Sequence, residues 1–475
     1  MKKHPFTTVQ ISIEKLSAKG YGVGYVSKAP EAPPAKVEIP HTVPGDLLEV
    51  EIGRKRKGAY FGYFPKVIQA SPDRAALQCV HAQSCGGCSW QQIEYQQQSY
   101  LKQKIVEELF SNLLSESTQF FPLIPCDPIW RYRNKMEYTF SQNKSGEKFL
   151  GLIMTGGKGR VFDLTECHLT DPWFSQVVCA VRSFWIQSSL QAYHMMSDKG
   201  ALRNLTVRKA RNTTDRLVML TVSGNPAFAM KREEIHHFCQ AVLSTLSDSE
   251  QARCSIFLRI QQIHKGSPTQ FYEMHLHGPD HILEELHIPC VERTMTFKIS
   301  PTAFFQPNSF QAEKLYNKAL EMIGNKPLDL VLDLYAGTST LGILFSAKAR
   351  QVISIEINPH AVFDAEVNKE LNECSNLTIH KGDVAEVLSK LREDLNFSAE
   401  LVVVDPPRAG LDDRALNHII QLSPKNILYV SCNPESQAKN VKQFMAAGYA
   451  LMVVQPVDQF AHTIHIENIC LLEKK

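Results

Sequence analysis

The chain has 475 residues, with Lys+Arg 51 against Asp+Glu 49, a formal net charge of +2 and 44% hydrophobic residues. That is material for about three domains with cores of their own. The near-balance of charge excludes attraction to nucleic acid through a global basic field, so any such attraction has to be local. Nothing in the chain approaches the ~20 apolar residues of a membrane-spanning helix, and the opening Met1-Lys2-Lys3-His4-Pro5-Phe6 has no apolar targeting core. No membrane partner is expected.

Residues 7–70 contain short alternating stretches at 9–13, 23–26, 36–39 and 47–52, punctuated by Gly20, Gly22, Gly24, Pro40, Pro44 and Gly45. This pattern predicts a small β-barrel. Arg54-Lys55-Arg56-Lys57 leads into Tyr60, Phe61, Tyr63 and Phe64. The combination offers phosphate attraction beside rings that can stack on bases; a solvated hairpin tip beside core aromatics is the alternative. The segment resembles the TRAM module, an oligonucleotide-binding-like barrel, which implies RNA binding by residues 1–70.

Residues 71–300 read as an α+β unit, with a helix over 101–114 and strands over 205–209, 217–222 and 255–260. Cys79, Cys85 and Cys88 fall close together, and Gly86 and Gly87 give the chain freedom to wrap a bound group. A fourth ligand is needed. Zinc would accept thiolates too, but its usual signature has two close pairs, and only Cys85 and Cys88 form one here. A disulfide framework does not suit a chain without a secretory signal. Trp130-Arg131-Tyr132-Arg133-Asn134-Lys135 mixes cations with rings, and Lys158, Arg160, Arg203 and Arg208 are candidate phosphate contacts or ordinary surface charges.

Residues 301–475 alternate strand-like runs (328–334, 352–357, 377–380, 401–405, 426–431, 450–454 and 465–472) with helix-compatible stretches, predicting an α/β fold with a seven-stranded, doubly wound sheet. The last two runs have no helix-length segment between them, so they are expected to pair antiparallel. Ligands of such sheets bind beyond the carboxyl ends of the strands. Asp333-Leu334-Tyr335-Ala336-Gly337-Thr338-Ser339-Thr340 ends the first run, and Gly337 would permit close backbone approach. Glu356, about 20 positions on, suits ribose hydroxyls, and Asp383 after the third run could accept from an adenine amino group. A dinucleotide would favour three glycines in the first turn. Only Gly337 and Gly342 occur, which favours S-adenosylmethionine, a cofactor without phosphate.

Val404-Asp405-Pro406-Pro407-Arg408 and Tyr429-Val430-Ser431-Cys432-Asn433-Pro434 mark two further strand ends of the same sheet. A thiol at Cys432 could attack a nucleobase: adding thiolate to carbon 6 of uracil makes carbon 5 nucleophilic enough to be methylated. Cys432 read alone is equally a small buried hydrophobe. A carboxylate must then take the carbon-5 proton; Glu467 is the candidate and Asp458 the nearest competitor. Asp405-Pro406-Pro407 also suits transfer to an amino group, which would need neither Cys432 nor Glu467.

Phe304-Phe305-Gln306-Pro307-Asn308, Asp333–Thr340, Asp405-Pro406-Pro407-Arg408-Ala409-Gly410, Ser431-Cys432-Asn433-Pro434 and His465-Ile466-Glu467-Asn468, in this order and spacing, resemble the RNA (uracil-C5)-methyltransferase family over nearly the full chain. The resemblance implies that Cys432 is the nucleophile and Glu467 the base, and that Gln306, Tyr335, Glu356, Asp383 and Asp405 line the methyl-donor site. It implies Cys167 as the fourth ligand with Cys79, Cys85 and Cys88, the set holding a 4Fe–4S cluster. The barrel-plus-cluster combination is similar to the branch that modifies 23S rRNA. A transfer-RNA substrate is the alternative, and a non-catalytic RNA-binding iron–sulfur protein is a different class. The expected organisation is 1–70 for RNA binding, 71–300 for the cluster and 301–475 for methyl transfer, in a cytoplasmic monomer. The chain departs from the family pattern at Ala336, where cysteine is frequent, at Ser339, where a second glycine is frequent, and at Ala461, where proline is frequent.

Overall fold

The structure, a computed structural model, describes residues 7–27, 33–53, 55, 58–157, 159–264, 266–392 and 398–475. Arg54, Arg56 and Lys57 of the basic run, Lys158, and the side chain of Phe64 lie outside what is described. Two compact units result: Met1–Lys102 with Leu152–Phe162 and Phe460–Ile464, and Gln103–Gly151 with Asp163–Gln459 and His465–Lys475. These boundaries fall elsewhere than the functional divisions expected at 70 and 300.

In the first unit, strands Thr7–Ser12, Leu47–Ile52, Tyr60–Gln69, Ala35–Ile39, Gly22–Val26 and Lys15–Leu16 pair in that order. The alternation of Leu48, Val50 and Ile52 with Glu49 and Glu51 drives the burial. The three apolar side chains join Ile11, Ile13, Val37 and Ile39 in one core. Strand Tyr60–Gln69 escaped the sequence reading because Gly62 and Pro65 interrupt its period of two. Gly62 is required there, since a Cβ would stand 2.7 Å from Ile39 and 2.8 Å from Val50. Phe61 packs edge-on against Tyr21 and Tyr63.

In the second unit, strands Lys135–Gln142, Leu202–Lys209, Arg216–Ser223, Cys254–Gln262 and Gln270–His277 pair in sequence. The expected strands at 205–209, 217–222 and 255–260 fall inside this sheet. The helix expected at 101–114 runs over Tyr95–Phe110. Arg208 corrects the sequence reading. It is buried, and both terminal nitrogens donate to the Ala303 carbonyl, at 3.3 and 3.4 Å. It braces the segment leading to Phe304 and is not presented to phosphate. Burial pulls its guanidinium down to about 10, while Glu284 and Asp364 oppose that.

The large sheet runs Leu377–Lys381, Ala349–Glu356, Leu328–Leu334, Leu401–Val404, Asn426–Ser431, Glu467–Lys474, Tyr449–Val457 and Gln119–Phe120. The first five strands are parallel, and Glu467–Lys474 is antiparallel to both its neighbours. The terminal antiparallel pair is as expected. The sheet has eight strands, however, because Gln119–Phe120 adds parallel to Val453 and Val454. Two residues are too few to show a period in sequence. Both faces are covered, which is why the strands read as continuous apolar runs. Val331, Leu401, Val403, Leu428 and Val430 face one core, and Leu330, Leu332, Val402, Val404 and Ile427 face the other.

Candidate active site

A cavity of about 410 Å³ opens beyond the carboxyl ends of the central parallel strands, lined by Phe304, Phe305, Gln306, Tyr316, Asp333, Tyr335, Ala336, Gly337, Thr338, Thr340, Leu341, Asp405, Pro406, Pro407, Arg408, Cys432 and Glu467. Its size lies in the range of about 300–1,000 Å³ common for small-molecule sites. Topology explains the assembly. Asp405 and Cys432 are the first residues after the strands Leu401–Val404 and Asn426–Ser431. Glu467 begins its strand, and antiparallel pairing, with Asn468 opposite Ser431, brings that beginning to the same edge. A parallel last strand would have carried Glu467 to the far side of the sheet.

Cys432 is half-buried and its thiol is pushed up to about 11, by burial first and then by Glu467 and Asp405, with Arg408 pulling it back. Glu467 is buried and its carboxyl is held well above the ordinary range by burial and by Asp405, again opposed by Arg408. Burial lifts Asp405 to about 7. Arg408 is the cation of the cavity lining. Its carbonyl accepts from Asn433 Nδ2 at 2.9 Å and Ser436 Oγ at 3.2 Å, which ties it to the turn after Cys432. Its Nη2 stands 3.3 Å from His465 Nδ1.

The loop after Leu328–Leu334 carries three left-handed residues, Tyr335, Gly337 and Ser339, at φ 61°, 55° and 58°. Ser339 sits where glycine would be least strained. Its buried hydroxyl meets Ser354 Oγ at 2.7 Å, which offsets part of that cost. Ser354 Oγ in turn donates to Asp333 Oδ2 at 3.2 Å, and Gly342 N–H donates to the same oxygen at 2.9 Å. Burial still lifts Asp333 to about 7.

Glu356 and Asp383 are not among the lining residues. Glu356 accepts from Gly337 N–H at 2.9 Å and Asn358 N–H at 2.7 Å, so it holds the loop that lines the cavity. Asp383 caps helix Val384–Leu391, accepting from Glu386 N–H at 3.2 Å. Its charge also helps raise the Tyr335 hydroxyl, after burial and Asp412. Asp458, the competitor to Glu467, is buried outside the lining.

The sequence reading passed over Tyr316 and Gln459, and it named Asn134 only within the cation-and-ring segment 130–135. Tyr316 lines the cavity from helix Ser309–Ile323 and hydrogen-bonds Gln306. Gln459 Nε2 donates to Gln306 Oε1 at 3.3 Å. Asn134 Nδ2 donates to the Gln306 carbonyl and to Ser309 Oγ, both at 2.9 Å. The aromatic–cation segment around Asn134 is thus partly a brace, and Arg131 likewise donates to the carbonyls of Cys167 and Thr170. The only sequence signal for these residues was the composition of the segments themselves.

The cysteine expectation finds no support in the placement of the thiols. Cys79, Cys85 and Cys88 belong to the first unit and Cys167 to the second. Gly87 N–H donates to Cys85 Sγ at 3.3 Å. Among the described residues, no three His, Cys, Asp or Glu side chains are gathered closely enough to hold a metal ion. Among the described residues, no helix is long and apolar enough to cross a membrane.

A family model described as tRNA (uracil-5-)-methyltransferase matches residues 258–475. An uncharacterized RNA methyltransferase of Protochlamydia amoebophila is 46% identical, the match covering 92% of this chain and 99% of the relative. The chain belongs to this RNA uracil-5-methyltransferase family. A second uncharacterized RNA methyltransferase, from Caldanaerobacter subterraneus, is 33% identical over 98% of each chain. Among solved structures, the tRNA (uracil-54, C5)-methyltransferase of Pyrococcus abyssi, in complex with S-adenosyl-L-homocysteine, shares the fold. Its TM-score is 0.72 at 23% identity, covering 98% of this chain and 99% of that one. Membership makes the chain an RNA-modifying enzyme, and its cavity is the family member's candidate active site.

Proposed function

We propose that this methyltransferase modifies carbon 5 of a uridine in 23S rRNA through a covalent adduct on Cys432. The reading rests on one observation above the others: Cys432 and Glu467 line a single cavity that also carries Asp405 and Arg408. S-adenosylmethionine, when bound, supplies an electrophilic methyl group; Gln306, Tyr335, Gly337 and Asp405 would hold it, with Glu356 and Asp383 steadying the surrounding loops. The Cys432 thiolate adds to carbon 6, and the displaced electron pair moves through carbon 5 toward the carbonyl oxygen at carbon 4. Carbon 5, now nucleophilic, takes the methyl group, whose bond to the donor's sulfonium sulfur would break with both electrons left on that sulfur. The Glu467 carboxylate then removes the proton from carbon 5, the ring double bond re-forms, and the carbon–sulfur bond breaks to return the thiolate. A carboxylate with raised proton affinity is the stronger base once ionised, and Arg408 favours its ionised form.

The six-stranded N-terminal sheet, read as a TRAM-like barrel, would hold the RNA. A 4Fe–4S cluster on Cys79, Cys85, Cys88 and Cys167 stays part of the proposal on the spacing of the first three thiols and on the family resemblance for Cys167, and no step of the reaction passes through it. Anaerobic purification followed by iron and sulfide analysis decides that part. The cluster predicts both elements in equal amounts, lost in Cys88→Ser; absence of both removes it.

Transfer RNA is the second reading, favoured by the description of the matching family model. Incubating the protein with methyl-labelled donor and unmodified transcripts of 23S rRNA or tRNA, then digesting to nucleosides, separates the two. We expect labelled 5-methyluridine from 23S rRNA. Label in tRNA alone would transfer the assignment, and label on an amino group would end the covalent mechanism.

A further inference from the structure

Gln306 lines the cavity with an amide whose two ends do opposite things: Oε1 accepts hydrogen bonds and Nε2 donates them. The fold of the backbone does not decide which end meets a ligand, because the amide turns about its last torsion without moving the chain. The neighbours of the amide decide it.

Gln459 is the neighbour at one end. It is buried in the same compact unit as Gln306, and its Nε2 donates to Gln306 Oε1 and to the Asn308 carbonyl, both at 3.3 Å. A backbone carbonyl only accepts, so the bond to Asn308 fixes which way round the Gln459 amide stands. Asn308 Nδ2 donates in return to the Gln459 carbonyl at 2.9 Å. Gln459 Oε1 is buried with no hydrogen-bond partner among the described residues. A half-satisfied buried amide costs stability, and an apolar side chain of similar length would avoid that cost. What an apolar side chain lacks is the N–H aimed at Gln306. Tyr316 is the neighbour at the other end. Burial, then Asp405, Glu467 and Asp333, hold its hydroxyl well above the ordinary range, and the bond from Gln306 opposes them. A bond that favours the ionised phenol is one in which an N–H donates to its oxygen, so the Nε2 end faces Tyr316.

We infer that Gln459 is a positioning residue that sets the polarity of the Gln306 amide: by occupying Oε1 it turns Nε2 toward the cavity, ready for an acceptor oxygen of a ligand. Nε2 carries two N–H bonds, and Tyr316 takes one. The other is left for the ligand. Two ligands of the reaction present such an oxygen, the carboxylate of S-adenosylmethionine and the carbonyl at carbon 4 of uracil. An amino group in the same place would meet N–H against N–H. Gln459 is not among the lining residues and acts only through Gln306. The inference rests on the reading of Gln306 as a ligand contact given above.

The test compares Gln459→Glu with Gln459→Met in the full chain, with thermal melts to confirm folding. A carboxylate has nearly the shape of the amide but only accepts, so it pairs with Nε2 and turns Oε1 toward the cavity; once protonated it donates again. Donor affinity by calorimetry, and turnover at saturating donor on the transcript that the unsubstituted chain methylates, are measured from about pH 6 to about pH 9. Each value is divided by that of the unsubstituted chain at the same pH, which removes the titration of Asp333, Asp405 and Glu467. We expect a small loss in Gln459→Met that does not change with pH. Gln459→Glu should lose about tenfold or more at the alkaline end, the factor carried by a hydrogen bond to a charged group, and recover as pH falls. That signature in donor affinity assigns the oxygen to the carboxylate, and in turnover alone to uracil. Equal losses in the two variants at every pH would overturn the inference. Should Gln459→Glu fail to fold, a double-mutant cycle carries the test: Gln459→Met should cost nothing further in a Gln306→Ala background, and full additivity would overturn the inference. Unchanged affinity and turnover in Gln306→Ala alone would instead remove the reading of Gln306 on which the inference stands.

Discussion

At the scale of single residues, the resting state of Cys432 is the first consequence of its surroundings. Burial, Glu467 and Asp405 together hold the thiol at about 11 against the pull of Arg408. A nucleophile of this kind is a thiol at neutral pH, and reactivity grows with the thiolate fraction. Labelling of Cys432 by iodoacetamide should therefore rise about tenfold per pH unit from about pH 7 to about pH 10. Arg408→Gln should be slower at every pH in that range, because it removes the opposing positive charge. Mass-spectrometric time courses decide; a rate flat over that range, or unaltered in Arg408→Gln, contradicts the assignment of Arg408. Cys432 and Asp405 were legible in sequence because each follows directly on a strand and stands in a distinctive motif. Glu467 was ambiguous by itself, since a lone strand carboxylate is as often solvated. Tyr316 was illegible and the bracing contacts of Asn134, although its segment was singled out, were too, since a helix tyrosine and a loop asparagine acquire their roles only through partners far along the chain.

At the scale of elements, the donor loop Tyr335–Thr340 depends on a buried polar knot beneath it. A Cβ at Gly342 would stand 2.3 Å from Ser354 Oγ, 2.5 Å from Ser339 Oγ and 2.8 Å from Asp333 Oδ2. Gly342→Ala should therefore destabilise by about 1–3 kcal/mol, the usual cost of forcing an extra carbon into a filled core. It should also weaken S-adenosylmethionine binding, because the loop that shifts is the one lining the cavity. Thermal melts with and without donor test this; unchanged melting and affinity would show the knot to be pliable. Ser339→Gly should move stability by less than about 1 kcal/mol. Relief of left-handed strain, about 1–2 kcal/mol, and loss of a hydroxyl bond, about 0.5–1.5 kcal/mol, oppose each other. The parallel strands and the terminal antiparallel pair were readable from their apolar runs and from the missing helix between the last two. Gln119–Phe120 was too short to read, and Tyr60–Gln69 was hidden by Gly62 and Pro65.

At the scale of the whole molecule, the cavity is a place where the fold holds protons. Asp333 and Asp405 are both raised to about 7 from an ordinary value of 3.8. Between those values the folded chain binds more protons than the unfolded one. The associated stability is complete below the lower value and is lost as pH rises through the upper. The donor-free protein should thus melt several degrees higher at pH 5 than at pH 8, and Asp405→Asn should flatten that difference. Equal melting of the unsubstituted chain at the two pH values would contradict the burial of these carboxyls. The family was visible in the order of the motifs and the α/β methyltransferase fold in the strand runs, while the compact units follow contacts that the sequence does not display. Segments 152–162 and 460–464 leave their neighbours in sequence to join the N-terminal strands, and no local pattern announces such a return.

The most direct test of the central claim replaces uridine by 5-fluorouridine in the 23S rRNA transcript, because fluorine at carbon 5 cannot be removed as a proton by Glu467. Incubation with S-adenosylmethionine, denaturation and mass spectrometry should reveal an RNA fragment bonded to Cys432 and carrying one added methyl group, absent in Cys432→Ala. Methylation of ordinary transcript without any such complex from the fluorinated one would contradict a covalent carbon-5 mechanism.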